Sequence, residues 1–252
     1  MIGVFDSGVG GLSVLTGIRK LLPDADLLYV ADRARAPYGV RDLADVRRIS
    51  HLVADWLLGQ GADCLVIACN TASAAALNSI REDHPGLVVV GMEPAVKPAA
   101  AVTTTGKVAV FATAATFQGE LFDSVMTRFA TGVDVMTVAC PEWVTIVERG
   151  HIEDPKTDQA VEARVRPAVE AGADTIVLGC THFSFLGEAI QRLGGVSVVD
   201  PSPAVAARVA EVAPNSNGAG RTTLAVSGPI EGFAKLARRI GGIDADVIRF
   251  AP

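Results

Sequence analysis

One internal match constrains this chain more than any other feature. Residues 61–71, GADCLVIACNT, and residues 172–182, GADTIVLGCTH, share a glycine, an alanine, an aspartate, an apolar run and a cysteine at an offset of 111. Two further matches keep nearly the same spacing: Val4-Phe5 falls over Val110-Phe111 at offset 106, and residues 87–95 fall over 196–204 at offset 109. Three matches in order predict a duplicated fold. Helical patterns lie between the matched runs, with Leu43, Val46, Ile49, Val53 and Leu57 forming one apolar stripe and Val161, Val165 and Val169 another. Pro167, inside the second pattern, is expected to kink or break its helix. Short β-rich runs alternating with helices imply an α/β fold of two pseudo-symmetric domains with mainly parallel sheets and an active site in the cleft between them. The expected units are residues 1–96 with 208–252, and residues 97–207. The last segment reads as strand, a helix beginning near Pro229, and strand, returning to the first domain. PNSNGAG, residues 214–220, is the clearest loop and is expected to be partly disordered.

Charge and cysteine usage narrow the function classes. The formal net charge is −6 without a block of Lys or Arg, which argues against a nucleic-acid or acidic-membrane surface. An apolar fraction of 50% is ample for a core, yet no uninterrupted apolar stretch is long enough to span a bilayer. Met1 runs directly into a predicted strand without a basic or apolar leader, so a cytoplasmic protein is expected. Cys64, Cys69, Cys140 and Cys180 form no CxxC pair and no dense framework. Reduced thiols are therefore expected, with neither disulfide stapling nor a thiolate metal site.

Ligands of parallel sheets bind beyond the carboxyl ends of the strands, and Cys69 and Cys180 both occupy that position. A lone cysteine after an apolar run is usually a small buried hydrophobe. Two at equivalent places of a duplication, each followed by small hydrogen-bonding residues, point instead to chemistry. Cys64 and Cys140 sit at unrepeated positions and read as structural. A thiol needs a basic neighbour or a helix N-terminus to yield thiolate near neutral pH. Asp6, at the end of the strand expected beside that of Cys69, and His182, two residues past Cys180, are the candidates. The loop DSGVGG, residues 6–11, brings glycines where backbone can approach a ligand, but it fits neither a P-loop nor GxGxxG. Nucleotide binding is not supported.

GVFDSGVGGLSV, APYG, ACNTAS, CPEWVTIVERG and GCTHF, in this order, closely resemble the cofactor-independent glutamate racemases of bacteria. The resemblance runs from residue 2 to about residue 205. It implies interconversion of L- and D-glutamate, the latter a peptidoglycan precursor, with no metal and no cofactor. A homodimer is compatible with it. By the same resemblance Cys69 and Cys180 are the acid/base pair, Cys69 acting as base on the D-enantiomer and Cys180 on the L-enantiomer. Asp6 and His182 assist them, and Glu148 is a further acid near the second thiol. Asp6, Ser7, Tyr38, Gly39, Asn70, Thr71, Thr181 and His182 match substrate contacts. Ala112, Gly119, Phe122 and Ser184 depart from the commonest family pattern and bear on pocket shape. The chemistry agrees: inverting one carbon needs a base on one face and an acid on the other. Rival readings are an aspartate or similar racemase of the same superfamily, a thiol redox pair, and a dicarboxylate-binding module without catalysis.

Overall fold

The structure is a computed structural model and describes residues 1–214 and 217–251. In chain order the first unit runs β1 (Ile2–Asp6), α1 (Leu12–Leu21), β2 (Leu27–Ala31), α2 (Leu43–Gly59), β3 (Cys64–Ile67), α3 (Asn70–Asp83) and β4 (Val88–Gly91). Then come α4 (Val96–Val102), β5 (Lys107–Ala112), α5 (Glu120–Phe129), β6 (Asp134–Ala139), α6 (Pro141–Glu148), α7 (Pro155–Glu170), β7 (Thr175–Gly179), α8 (Gly187–Gly194) and β8 (Ser197–Val199). The chain closes with α9 (Ser202–Val212), β9 (Thr222–Val226), α10 (Phe233–Gly241) and β10 (Asp246–Arg249).

Two sheets result, ordered β10-β9-β2-β1-β3-β4 and β6-β5-β7-β8. Every described strand pair is parallel. The order β2-β1-β3-β4 of the first sheet recurs strand for strand as β6-β5-β7-β8, so the duplication read from the sequence is present in the topology. In each copy the order reverses between the first and third strands, the place where open parallel sheets leave a crevice for ligand. β9 and β10 add only to the β2 edge of the first sheet.

The helices follow from capping and periodicity. Asp42 caps α2 by accepting the Ala44 N–H at 2.7 Å, and Asp154 caps α7 by accepting the Lys156 N–H at 2.9 Å, each contribution being about 1 kcal/mol. Val46, Ile49, Val53 and Leu57 of α2 are buried against Phe5, Val30, Leu65 and Ile67. Burial of each such side chain is worth roughly 1.5–3 kcal/mol. On the other side one apolar cluster runs from α1 through Phe183 and Trp143 to Phe111 of β5, joining the two units. Trp143 meets Phe183 edge-on with centroids 4.9 Å apart.

Two expectations need revision. α7 is continuous through Pro167, which lies near its end and removes a single N–H, the one that would reach Ala163. The last helix starts at Phe233 and not near Pro229, because Gly232 just before it holds a left-handed conformation, φ +76°. At the expected domain boundaries, 96/97 and 207/208, the chain is helical, within α4 and α9, and α9 packs on α1. Asn215 and Ser216 of the PNSNGAG loop lie outside the described residues; beyond them Gly218 and Gly220 donate to the Asp24 carbonyl at 2.8 and 3.0 Å.

Candidate active site

The two crevices face each other, and the segments leaving β1, β3, β5 and β7 converge there. β1 pairs with β3, bringing Asp6 beside the chain that leads to Cys69. Cys69 is the N-cap of α3, and Cys180 takes the same place before a 3₁₀ turn, Thr181–Leu186. Both have extended backbone, φ −138° and −150°, and both are buried. All four cysteines are free thiols. Cys64 is enclosed in β3, where burial pushes its thiol up to about 11, and Cys140 is fully buried.

Around Cys180 the geometry is a chain of contacts. His182 Nδ1 lies 3.8 Å from the Cys180 sulfur, and its Nε2 lies 2.8 Å from Glu148 Oε1. That same oxygen accepts the Val9 N–H at 2.7 Å, while Glu148 Oε2 accepts Arg33 Nε at 3.2 Å. Burial opposes charge on His182, but its bonds to Cys180 and Glu148 outweigh it and hold the imidazole well above its ordinary value. Burial likewise opposes the Glu148 carboxylate, and His182, Val9 and Arg33 bring it below the usual range. An ionised carboxylate only accepts, so Nε2 carries a proton and Nδ1 is the atom turned to the thiol.

Cys69 is served differently. Burial raises its thiol well above the ordinary value and the Asp6 charge raises it further. Asp6 is itself raised by burial, partly opposed by His182 and by the Gly11 and Gly8 amides. Those amides each reach Asp6 Oδ2 at 3.1 Å, whereas Oδ1 has no hydrogen-bond partner among the described residues. Asp6 therefore caps the glycine loop with one oxygen and leaves the other for the site. The loop owes its glycines to close approach across the domains. A Cβ on Gly10 would stand 2.3 Å from His182 Nδ1, and one on Gly8 would overlap Glu148 Oε1.

The binding candidates divide into two groups. Ser7, Asn70, Thr71, Thr181 and His182 are all buried at the convergence, and both amide atoms of Asn70 lack a partner among the described residues. Such an amide calls for a ligand that both donates and accepts. The site also lies at the N-terminus of α3, a setting that favours carboxylates, and the Ala72 amide of its first turn bonds the Cys69 thiol. Tyr38 and Gly39 form a buried 3₁₀ turn, in which the Tyr38 hydroxyl donates to Asp32 Oδ2 at 2.6 Å and Gly39 packs on Thr113. Among the four departures, Ala112 ends β5 where Asp6 ends β1, and Ser184 bonds Ser202 at 3.1 Å. Gly119 abuts Ala74, and Phe122 packs edge-on against Phe117. A cavity of about 480 Å³ opens from Ser7, Glu148 and His182 past Arg33 and Pro37. A larger one, about 880 Å³ between Leu77, Val90, Lys97 and Asp200, includes neither thiol nor their partners.

Sequence reasoning missed four contributors. Thr113 and Thr116 join Thr71 in a buried ring of hydroxyls with separations of 2.9–3.2 Å, tying α3 to the end of β5. Thr113 was accessible, because offset 106 carries Ser7 onto it. Arg33 and Asp32 gave no signal beyond ordinary charge in a loop.

A family model described as Asp/Glu/Hydantoin racemase matches residues 3–209. The chain belongs to that family. Among curated members, the glutamate racemase of Roseiflexus sp. (strain RS-1) is 46% identical over 95% of this chain and 91% of its own length. Glutamate racemase from Thermus thermophilus, solved in complex with beta-chloro-D-alanine, superimposes with TM-score 0.83 at 39% identity, covering 99% of this chain and 96% of that one. The Escherichia coli glutamate racemase, solved with L-glutamate and activator UDP-MurNAc-ala, gives TM-score 0.87 at 31% identity over 99% and 97% of the two chains. The Asp/Glu racemase fold is thus shared over nearly the whole chain. Among the described residues no helix is long and apolar enough to cross a membrane, and no three His, Cys, Asp or Glu side chains are grouped to hold a metal ion.

Proposed function

We propose that this chain is a glutamate racemase, an isomerase that inverts the α-carbon by two-thiol proton transfer and needs neither metal nor organic cofactor. One observation carries the reading: equivalent strand ends of two facing domains each present a buried thiol, one beside Asp6 and the other beside His182 and Glu148. One thiolate removes the α-proton from one face, so that the C–H bond breaks as S–H forms. The opposite thiol then delivers its own proton to the other face, and the pair exchanges protonation states. Cys69 acts as base on D-glutamate with Asp6 assisting, and Cys180 acts on L-glutamate with His182 held by Glu148. Ser7, Asn70, Thr71 and Thr181 hold the substrate, with the backbone at Tyr38 and Gly39 closing over it. The product supplies D-glutamate for peptidoglycan, in the cytoplasm, in keeping with the four free thiols.

The test is proton NMR of L-glutamate in deuterium oxide, with enzyme dialysed exhaustively against chelator. Loss of the α-proton signal should accompany appearance of D-glutamate. Activity restored only by added metal or pyridoxal phosphate would sink the proposal, and so would binding without α-hydrogen exchange.

A further inference from the structure

Arg33 stands outside the two thiols and their immediate partners, yet it touches the group on which one of them depends. Glu148 Oε1 already accepts from Val9 and His182, at 2.7 and 2.8 Å, so the orientation of its carboxylate rests on the second oxygen. Among the described residues that oxygen is bonded by Arg33 Nε, at 3.2 Å. Three donors from three segments then fix a flexible side chain that would otherwise rotate. Arg33 is steadied in turn, its guanidinium lying over the Phe233 ring at 5.6 Å from the centroid. The loop carrying it is anchored by Ser227, which accepts the Ala34 N–H at 2.9 Å and donates to Asp32 at 2.7 Å. Phe233 and Ser227 both belong to the return segment, which has no counterpart in the second domain.

We propose that Arg33 is a positioning residue for the Cys180 half of the reaction, holding Glu148 in line with His182 while the return segment holds Arg33. It acts on the Cys180 thiol through two intermediaries, and reaches the Cys69 half only more weakly, through the charges of His182 and Glu148 near Asp6. The proposal rests on the racemase reading.

The experiment compares wild type with Arg33→Met, Arg33→Lys, Glu148→Gln and the Arg33→Met/Glu148→Gln double variant. Arg33→Met should lower turnover about tenfold, with KM for glutamate changed by less than about twofold. The primary isotope effect on L-[2-²H]glutamate should rise, while that on D-[2-²H]glutamate stays or falls. Arg33→Lys, which keeps the charge, should recover part of the loss. In the Glu148→Gln background Arg33→Met should have no further effect, because the connection is already cut. Additive losses, equal changes in both isotope effects, or a change confined to KM would overturn the proposal. ¹⁵N-histidine NMR reads the same connection without turnover: the His182 Nε2–H resonance should broaden or vanish in Arg33→Met. A resonance unchanged from wild type overturns the role of Arg33. Wild type failing to racemise glutamate would instead refute the function, leaving the NMR comparison to decide the contact.

Discussion

Cys69 and Cys180 share a backbone setting and differ in company. Offset 106 carries Asp6 onto Ala112, so the duplication gives the second thiol no matching carboxylate, and His182 with Glu148 takes its place. On the proposed two-thiol mechanism, replacing either cysteine by alanine removes a proton carrier, so each variant should lose nearly all racemisation while circular dichroism and Tm stay close to wild type. Asp6→Asn and His182→Asn should each cost about 10²-fold or more in turnover. Haldane's relation fixes the ratio of the two efficiencies, so their difference must show in isotope effects measured from each enantiomer; identical patterns would contradict the assignment of partners. Stability supplies another test. The Glu148 carboxyl titrates below its ordinary 4.5 in the folded protein, so its contribution is present above that pH and is lost as pH falls through the lower folded value. Wild type should therefore exceed Glu148→Gln by about 1–3 kcal/mol at neutral pH, with the gap closing in acid; a constant gap across a denaturation series would refute it. Both thiols, Asp6 and His182 were legible because the repeat singled out strand ends. Arg33 was not, because its meaning lies in a contact with Glu148 across 115 residues, and no local pattern encodes that.

At the level of elements the apolar stripes were readable because burial imposes their spacing, and the four deeper stripe residues of α2 are buried as their period requires. Termini were less legible. Pro167 reads as a break when the penalty of a missing N–H is considered alone, yet packing of Val161, Val165 and Ala168 carries α7 past it. Pro167→Ala should therefore stabilise the protein, by about 1–2 kcal/mol, less than the roughly 3 kcal/mol of a mid-helix proline because the unfolded chain also gains freedom. Thermal unfolding should register a Tm rise of about 2–8 °C, and an unchanged or lower Tm would show that the proline is not opposed by its neighbours. The glycine loop makes the reverse case. Its residues looked like a turn before a helix, and the structure adds that His182 and Glu148 of the other domain lie against it, a constraint no single-segment pattern can express.

For the whole molecule, one chain carries both thiols at the facing ends of its two sheets, so the site should be complete within a subunit. Mixing Cys69→Ala and Cys180→Ala proteins should recover no activity, even when labelled subunits are seen to exchange. Substantial recovery would require a site built between subunits. The two sheets were legible from three sequence matches because a duplicated topology repeats its apolar runs; the added edge was legible only as strand and helix signals, and its pairing with β2 came from the fold. That pairing sets an order on birth. On the ribosome β2 emerges early, whereas β9, its neighbour, is made after the entire second domain. Until then Leu27–Ala31, apolar but for the Tyr29 hydroxyl and buried in the finished molecule, has an open edge. The second sheet meets no such delay, so chains stalled before Thr222 should show a protease-resistant second domain beside a first domain still waiting for its last strands, and the nascent protein has its greatest need of a chaperone in that interval.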